Sequence, residues 1–324
     1  MATTQPEVQA PDESWVLRVR GEIDRAMQRS VKGLEYMAAP PATVGTTPKD
    51  VIYHRGTLSL YHYRPMASEI YRIPLLLVMA TTNKAYIFDL APGQSLVEYL
   101  LKAGYDVYVM DWNPPRPEER NLRFEDYTLD FIPECVRRVQ EDSGVDDVNM
   151  IGYCMGGVLS TIYAALHADG PVRNLVCFTT PVDFSKMALF QAWSDKRHFD
   201  VDGMADSMGI VPASVITSGF DSLRPTGRVT GALRLWDNAL YKGKLVVGGR
   251  KVDLGNIKVP LLSVVAEHDH IVPYDCAHPL MEKVGSRDKE EVMLKGGHVS
   301  LVAGPNAVKR MWPKLDQWLG ERST

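Results

Sequence analysis

Apolar residues follow two different rhythms along the chain. Two alternating runs, 51–55 and 58–63, are joined by Gly56 and Thr57, and this pattern predicts a β-hairpin. Later apolar runs are continuous and predict buried strands at 74–80, 105–112, 148–154, 174–180, 260–269 and 292–295. Helical spacing predicts helices at 95–103, 127–143, 157–168 and 305–318. Buried strands that alternate with helices indicate an α/β domain with a mostly parallel sheet.

Two regions lie outside this rhythm. Residues 13–37 have apolar positions at helical spacing, which predicts a helix packed on the body or, alternatively, a helix that docks a partner. Residues 183–256 show no strand–helix alternation and predict a cap inserted over the carboxyl ends of the strands. The predicted organisation is an arm, helix and linker at 1–49, core at 50–182, cap at 183–256 and core at 257–324.

The charge balance and the cysteines limit the functional classes. Lys and Arg total 36 against 40 Asp and Glu, so no basic excess favours nucleic-acid binding. No apolar run reaches the roughly 20 residues of a membrane-spanning helix, and the first residues do not resemble a signal peptide. The 4 cysteines form no C-x-x-C pair. We therefore expect reduced thiols in a cytoplasmic protein.

The run around Cys154 carries the clearest chemical signal. Cys154 lies between Gly152 and Gly156, after a predicted strand and before a predicted helix. This is the context of the nucleophile elbow in the α/β-hydrolase fold. The helix N-terminus would stabilise a thiolate, and the Met155 N–H would face an oxyanion. The alternative is a buried structural cysteine in a tight turn.

Two further residues follow in the order that this fold requires, nucleophile, acid, histidine. Asp269 follows the predicted strand 260–269, and His298 follows Gly296 and Gly297 after the next strand. We expect both at the same sheet edge as Cys154, with His298 as base and Asp269 holding its other ring nitrogen. Alternatively, Asp269 caps the next turn and Glu267 is the acid.

The remaining candidates have weaker signals. His268, His270 and His278 could form a metal site only if the loop reoriented two of these side chains toward the same ion. No cysteine or carboxylate cluster completes the set of ligands. The second oxyanion donor is expected from the loop after strand 74–80, at Thr82 or Asn83. The alternative is a turn that simply connects strand to helix.

Several motifs together resemble the polyhydroxyalkanoate synthases. They lie at 83–90, 95–100, 106–112, 152–157, 179–184, 248–254, 269–273 and 296–298. The resemblance extends from about Tyr53 to the C-terminus. It is strongest to the two-subunit synthases, whose catalytic chain works with an accessory protein.

The resemblance implies an α/β-hydrolase fold and a Cys-His-Asp acyltransferase that polymerises (R)-3-hydroxyacyl-CoA, such as 3-hydroxybutyryl-CoA, and releases CoA. By position, Cys154 is the nucleophile, His298 the base and Asp269 its acid, while Thr82 and Met155 give the oxyanion N–H groups. It further implies no cofactor besides the CoA thioester substrate. The implied partners are an accessory subunit or a second copy of the chain, and the implied location is the surface of a cytoplasmic polyester granule.

One departure from the family keeps other functions open. Cys154 and Asp269 are only 115 positions apart, which indicates a shortened cap near 235–240. A cysteine hydrolase, of the dienelactone-hydrolase or thioesterase type, is the alternative enzyme that a short cap favours. The insertion and the Asn83–Lys84 run favour the synthase. A non-catalytic interaction protein is the third hypothesis, and the complete set of Cys154, Asp269 and His298 argues against it.

Overall fold

Strands make up the centre of the molecule. A computed structural model describes residues 43–187 and 238–323, so the predicted helix at 13–37 and cap residues 188–237 lie outside the described residues. The strands are β1 Lys49–Arg55, β2 Leu58–Tyr63, β3 Leu75–Val78, β4 Val107–Trp112, β5 Val148–Tyr153, β6 Val172–Phe178, β7 Val246–Val247, β8 Arg250–Lys251, β9 Leu261–Ala266 and β10 Lys289–Leu294.

Eight of these strands form one sheet in the order β1-β2-β4-β3-β5-β6-β9-β10, while β7 and β8 form a separate hairpin. The β1–β2 and β2–β4 pairs are antiparallel, and all other pairs in the large sheet are parallel. The predicted hairpin and the predicted, mostly parallel sheet are therefore confirmed. Strand β2 has the predicted bounds, and the ends of the other predicted strands differ from their apolar runs by at most three residues.

The burial of the strands explains the two rhythms of the sequence. Every residue of β3, β4, β5 and β9 is buried, as expected for central strands that are covered on both faces. Most residues of the outermost strands β1 and β10 are partly or fully exposed. These strands carry charged residues, among them Lys289, Glu290 and Glu291. Charged side chains on an edge strand oppose pairing with another sheet.

Helices lie at the four predicted places, and two further short helices, at 274–277 and 279–283, were not predicted from the sequence pattern. The α-helices of four or more residues in the described ranges are α1 Leu96–Lys102, α2 Ile132–Ser143, α3 Met155–Leu166, α4 Tyr274–Ala277, α5 Pro279–Lys283 and α6 Trp312–Gly320. Helix α1 packs with α6, and α2 packs with α3. No helix within 43–187 or 238–323 combines the length and apolar character needed to cross a bilayer.

Two predicted helices begin with a π-helical turn instead of an α-helical one. A π-helical turn, Tyr127–Phe131, precedes α2, and another, Ala307–Met311, precedes α6. Each of the two α-helices has a proline in its first turn, Pro133 and Pro313. Because proline cannot donate a backbone hydrogen bond, the regular pattern changes there.

The strand order places two loops side by side. Strand β3 lies between β4 and β5 and is parallel to both. The chain therefore passes from β3 to β4 on one side and returns to β5 on the other. Such a reversal opens a crevice at the carboxyl ends of the strands, where ligands bind in this class of fold. The loops that follow β3 and β5 carry Thr82 and Cys154, respectively.

Candidate active site

Cys154 occupies a sharp turn between β5 and α3. Its backbone φ is 53° and its ψ is −117°, a conformation that is rare for residues other than glycine. The turn needs glycine on both sides: a Cβ on Gly152 would lie 2.5 Å from the Gly157 Cα, and one on Gly156 would lie 2.1 Å from the Val78 carbonyl oxygen. The strained turn presents the Cys154 side chain at the sheet edge.

The environment of Cys154 differs from that of the other cysteines. Cys135, Cys177 and Cys276 are buried, whereas Cys154 is partly exposed. Burial raises the pKa of all three buried thiols, to about 12 for Cys177. A thiol with a raised pKa is a poor nucleophile, so Cys154 is the cysteine suited to react.

Asp269 and His298 form a hydrogen-bonded pair. The Nδ1 atom of His298 lies 2.7 Å from Oδ2 of Asp269, whose side chain is fully buried. Oδ1 of Asp269 accepts hydrogen bonds from the backbone N–H groups of Ile271, at 2.9 Å, and Val272, at 2.8 Å. The carboxylate therefore both caps the following turn and holds the histidine ring, so the two roles weighed for Asp269 coexist.

The His298 ring also interacts with the side chain of Cys154. Burial of the ring lowers the pKa of His298, but the negative charge of a Cys154 thiolate and the bond to Asp269 outweigh it, so the pKa rises to about 10. The His298 ring beside a Cys154 thiolate therefore holds its second proton more tightly than an ordinary imidazole does. A thiolate–imidazolium pair is the form in which cysteine is a nucleophile at neutral pH.

Neighbouring groups fix the position of the His298 backbone. The Tyr153 hydroxyl donates a hydrogen bond to the His298 carbonyl oxygen at 3.3 Å, and the two rings lie 5.2 Å apart. Gly297 donates its N–H to the Ser300 hydroxyl at 3.2 Å, at the start of the short helix His298–Leu301. Neither Tyr153 nor Ser300 was predicted from the sequence as a partner of this segment.

The loop after β3 distinguishes between the two candidates for a second oxyanion donor. Asn83 donates its N–H to the Ala80 carbonyl oxygen at 3.1 Å, which closes a turn. Among the described residues, the Thr82 N–H has no hydrogen-bond acceptor, and neither has that of Met155, the first residue of α3. Thr82 and Met155 therefore retain free N–H groups at adjacent strand ends.

The other histidines and Glu267 lie in different surroundings. His278 contacts Tyr274 and Glu291, and His268 lies 3.9 Å from Glu267. Glu267 is half-exposed and is not the partner of His298. Within the described ranges, no three His, Cys, Asp or Glu residues are grouped so that they could hold a metal ion.

A polar contact that the sequence analysis did not foresee joins the two described ends of the cap region. The Phe184 N–H donates to Oδ1 of Asn238 at 2.9 Å, and Nδ2 of Asn238 donates to Oδ1 of Asp183 at 2.6 Å. Asn238 has a φ of 61°, a left-handed conformation that asparagine tolerates better than most residues. Asp183 and Val182 also donate their N–H groups to the Cys276 carbonyl oxygen, so this base is attached near the Asp269 loop.

Comparison with known proteins gives two matches to family profiles. Residues 79–209 match a profile described as the alpha/beta hydrolase fold. Residues 40–100 match one described as the N-terminus of poly-beta-hydroxybutyrate polymerase (PhaC). The second match covers the hairpin, β3 and the loop that carries Thr82.

Two relatives whose alignments cover most of the chain have the same name. A "Poly(3-hydroxyalkanoate) polymerase subunit PhaC" from Allochromatium vinosum is 35% identical, and the alignment covers 90% of this chain and 94% of the relative. A protein of the same name from Haloferax mediterranei is 31% identical over 87% of this chain, and the chain spans 65% of that relative's length.

Solved structures show the same fold at low sequence identity. Mouse alpha/beta hydrolase domain-containing protein 10 has a TM-score of 0.55 at 12% identity and covers 85% of this chain and 99% of its own. The Pyrococcus furiosus esterase PF2001 has a TM-score of 0.54 at 15% identity and covers 88% of this chain and 97% of its own. The predicted α/β-hydrolase fold is confirmed.

Proposed function

The chain belongs to the poly(3-hydroxyalkanoate) polymerase family, and we propose that it polymerises (R)-3-hydroxyacyl-CoA, such as 3-hydroxybutyryl-CoA, through a covalent thioester on Cys154. The observation that carries the proposal is the strained, partly exposed Cys154, whose side chain interacts with a histidine that is hydrogen-bonded to a buried carboxylate. This is the arrangement of an activated nucleophile, its base and the group that orients the base.

In the first half-reaction, the Cys154 thiolate attacks the carbonyl carbon of the acyl-CoA. The negative charge moves to the carbonyl oxygen, where the Met155 and Thr82 N–H groups stabilise it. The bond from carbon to the CoA sulfur then breaks, and the His298 imidazolium donates its proton to the departing CoA thiolate. The products are free CoA and an acyl thioester on Cys154.

In the second half-reaction, a chain hydroxyl replaces CoA as the reacting group. His298, now neutral, accepts the proton of the 3-hydroxyl as its oxygen attacks the thioester carbon. The bond from carbon to the Cys154 sulfur breaks, the new ester lengthens the polymer by one unit, and the thiolate–imidazolium pair is restored. Asp269 keeps its bond to Nδ1 throughout.

A cysteine suits this reaction better than a serine. Transfer from CoA to a thiol exchanges one thioester for another, so the acyl group stays reactive toward a secondary alcohol. Water is the competing acceptor, and its exclusion determines whether polymer or free acid forms. The region over the strand ends, rather than the Cys154–His298–Asp269 set, therefore decides between a polymerase and a hydrolase.

The proposal includes partners and a location. The relatives are named as subunits, which supports an accessory subunit or a second copy of the chain as partner. An insoluble polyester product supports a place at the granule surface in the cytoplasm. The proposed steps need no metal ion or organic cofactor, since the thiol, the imidazole and the backbone N–H groups supply the chemistry.

Incubation of the purified chain with (R)-3-hydroxybutyryl-CoA, with and without an accessory subunit, tests the proposal. We expect CoA release together with insoluble polyester. CoA release with free 3-hydroxybutyrate would identify a hydrolase instead, and no CoA release under either condition would contradict an acyl-transfer function.

The matched variants for this assay are Cys154→Ala and Cys177→Ala. Both remove one thiol, but Cys177 is buried within β6. We expect only Cys154→Ala to abolish CoA release. Intact protein mass after brief exposure to substrate should increase by one acyl group in the wild type and not in Cys154→Ala.

A further inference from the structure

The loop that carries Thr82 is held at both ends by the end of one strand. At its start, Nε1 of Trp112 donates a hydrogen bond to the Met79 carbonyl oxygen at 2.9 Å. At its far end, the Ala85 N–H donates to Oδ1 of Asp111 at 2.8 Å. Asp111 and Trp112 are consecutive residues at the carboxyl end of β4, so one strand end fixes both limits of the loop.

Lys84 adds a third attachment at the far end. Its ammonium group contacts Oδ2 of Asp111 and donates hydrogen bonds to the Trp112 carbonyl oxygen, at 3.1 Å, and to Oδ1 of Asn113, at 3.0 Å. The Asp111 side chain is 5% exposed and that of Lys84 is 34% exposed. The ammonium therefore compensates a buried carboxylate and is fixed by three acceptors.

The same loop touches the elbow. Gly156 packs so closely on the Val78 and Met79 carbonyl groups that a Cβ there would lie 2.1 Å from the Val78 oxygen and 2.8 Å from the Met79 oxygen. The Met79 carbonyl is also the acceptor for Trp112. A displacement of the loop at Met79 would thus change the distance between the Thr82 and Met155 N–H groups.

We propose that Lys84, Asp111 and Trp112 are positioning residues that hold the Thr82 N–H at the distance from Met155 needed to bind an oxyanion. The proposal rests on the proposed function, in which Cys154 takes up an acyl group and the Thr82 and Met155 N–H groups bind the oxyanion. None of the three side chains needs to touch the substrate. Their effect is on the geometry of a donor, and a misplacement of about 1 Å at a reacting centre reduces a rate by about 100-fold.

The alternative is that these contacts only stabilise the fold. Two reactions of Cys154 distinguish the two roles, because only one of them needs an oxyanion site. Acyl transfer passes through a tetrahedral intermediate with charge on oxygen, whereas alkylation by iodoacetamide is a direct displacement at a saturated carbon. A positioning role predicts slow acyl transfer with normal alkylation, while a general loss of structure slows both.

The test compares Lys84→Met and Trp112→Phe with the wild-type chain. Lys84→Met keeps the aliphatic stem and removes the three polar contacts, and Trp112→Phe keeps an aromatic ring beside Tyr127 and Phe131. For each variant we expect kcat for CoA release from 3-hydroxybutyryl-CoA to fall about 10- to 100-fold, since loss of one oxyanion donor costs about 100- to 1,000-fold. KM and the rate of Cys154 alkylation should stay within about twofold of the wild-type values.

Lys102→Met is the matched control, because Lys102 pairs with Glu98 on the surface of α1. It should keep kcat, KM and the alkylation rate. Unchanged kcat in both test variants would overturn the proposal, and so would a parallel fall of kcat and alkylation in both. If one variant does not fold, as judged by its thermal unfolding, the other decides the matter independently.

Failure of the proposed function has a separate signature. In that case the wild-type chain itself would release no CoA, while the positioning residues would still affect acylation by a generic ester. Release of p-nitrophenol from p-nitrophenyl butyrate, measured on the same variants, therefore tests the positioning role whether the chain is a polymerase or a hydrolase. Equal acylation rates in wild type and both variants would then exclude it.

Discussion

Nδ1 of His298 lies 2.7 Å from Oδ2 of Asp269, and the second oxygen of Asp269 is occupied by two backbone N–H groups. The carboxylate cannot rotate without losing those two bonds, so it fixes the imidazole ring. Because Nδ1 is engaged, the other ring nitrogen is the one available to Cys154. The direction of the ring is thus set before any substrate binds.

Asp269→Asn should separate this orienting role from the role of Asp269 in folding. The asparagine Oδ1 can still accept from Ile271 and Val272, so we expect a folded protein with little change in thermal stability. Its amide cannot accept the Nδ1 proton, so kcat for CoA release should fall about 10³- to 10⁴-fold. Glu267→Gln is the control, since Glu267 is half-exposed and not bonded to His298. Loss of activity in Glu267→Gln with retention in Asp269→Asn would contradict the assignment.

Selective labelling should identify the reactive thiol. Cys154 is partly exposed and interacts with His298, whereas the other three cysteines are buried with raised pKa values. Brief treatment of the native protein with iodoacetamide at pH 7 should therefore add one carbamidomethyl group, and the denatured protein should take up four. Mass spectrometry locates the group. Labelling at Cys276 or Cys177 before Cys154 would disprove the predicted reactivity.

The sequence predicted the three residues Cys154, Asp269 and His298, but not the contacts that hold them in place. Cys154, Asp269 and His298 follow strands, and parallel strands that end at one edge bring such residues together whatever the intervening chain does. The glycines at 152 and 156 marked the turn because no larger residue fits there. For these positions, a local pattern and the topology were sufficient.

The supporting contacts join residues that are far apart in the sequence, so no local pattern reveals them. Asp111 lies 26 positions from Ala85, and Tyr153 lies 145 positions from His298. An aspartate at a strand end gives no sign of which loop it will hold, since that depends on the strand order. The π-helical turns before Pro133 and Pro313 were missed for a different reason, because helical periodicity does not distinguish a π turn from an α turn.

Removal of the imidazole should slow Cys154 in a pH-dependent way. Burial lowers the pKa of His298, but the charge of a Cys154 thiolate and the bond to Asp269 raise it to about 10, so the ring carries a positive charge when Cys154 is a thiolate. In His298→Gln this positive charge is lost, and we expect iodoacetamide to react much more slowly at pH 6 to 7. The difference should shrink as the pH rises above about 8.5, where an ordinary thiol ionises unaided. A constant ratio from pH 6 to pH 10 would show that no ion pair forms.

A second histidine should link stability to pH at the opposite end of the sheet. His62 lies between Asp106, 2.7 Å from Nε2, and Asp142, 2.8 Å from Nδ1. Burial lowers the pKa of His62, but the two carboxylates outweigh it and the net pKa is raised. A raised folded-state pKa means that the stabilisation is complete below about pH 6.5 and is lost as the pH rises through the folded-state value.

Urea unfolding of wild type and His62→Gln at several pH values measures this linkage. The difference in the free energy of unfolding should be largest near pH 6 and smaller at pH 9. His54→Gln is the control, because within the described part of the chain the His54 ring is hydrogen-bonded to the Ser59 hydroxyl, at 3.1 Å, and to no carboxylate. A difference for His62→Gln that does not change with pH would show that the protonated form has no role.

Gly156 packs so closely on β3 that even an alanine at this position should disturb the site. A methyl group there would lie 2.1 Å from the Val78 oxygen and 2.8 Å from the Met79 carbonyl. Both are buried backbone groups, at the end of β3 and directly after it, so they cannot move without disturbing the sheet. Gly156→Ala should therefore push α3 away from β3 and move the Met155 N–H from the Thr82 N–H. We expect a loss of about 1–3 kcal/mol in the free energy of unfolding, typical of overpacking, and a loss of most CoA release.

Gly93→Ala is the control, because a Cβ there meets nothing within 4 Å and only the positive φ of 73° is strained. This variant should lose no more than about 1–2 kcal/mol in the free energy of unfolding and keep its activity. Equal activity in the two variants would show that the contact between the elbow and β3 does not set the geometry of the site.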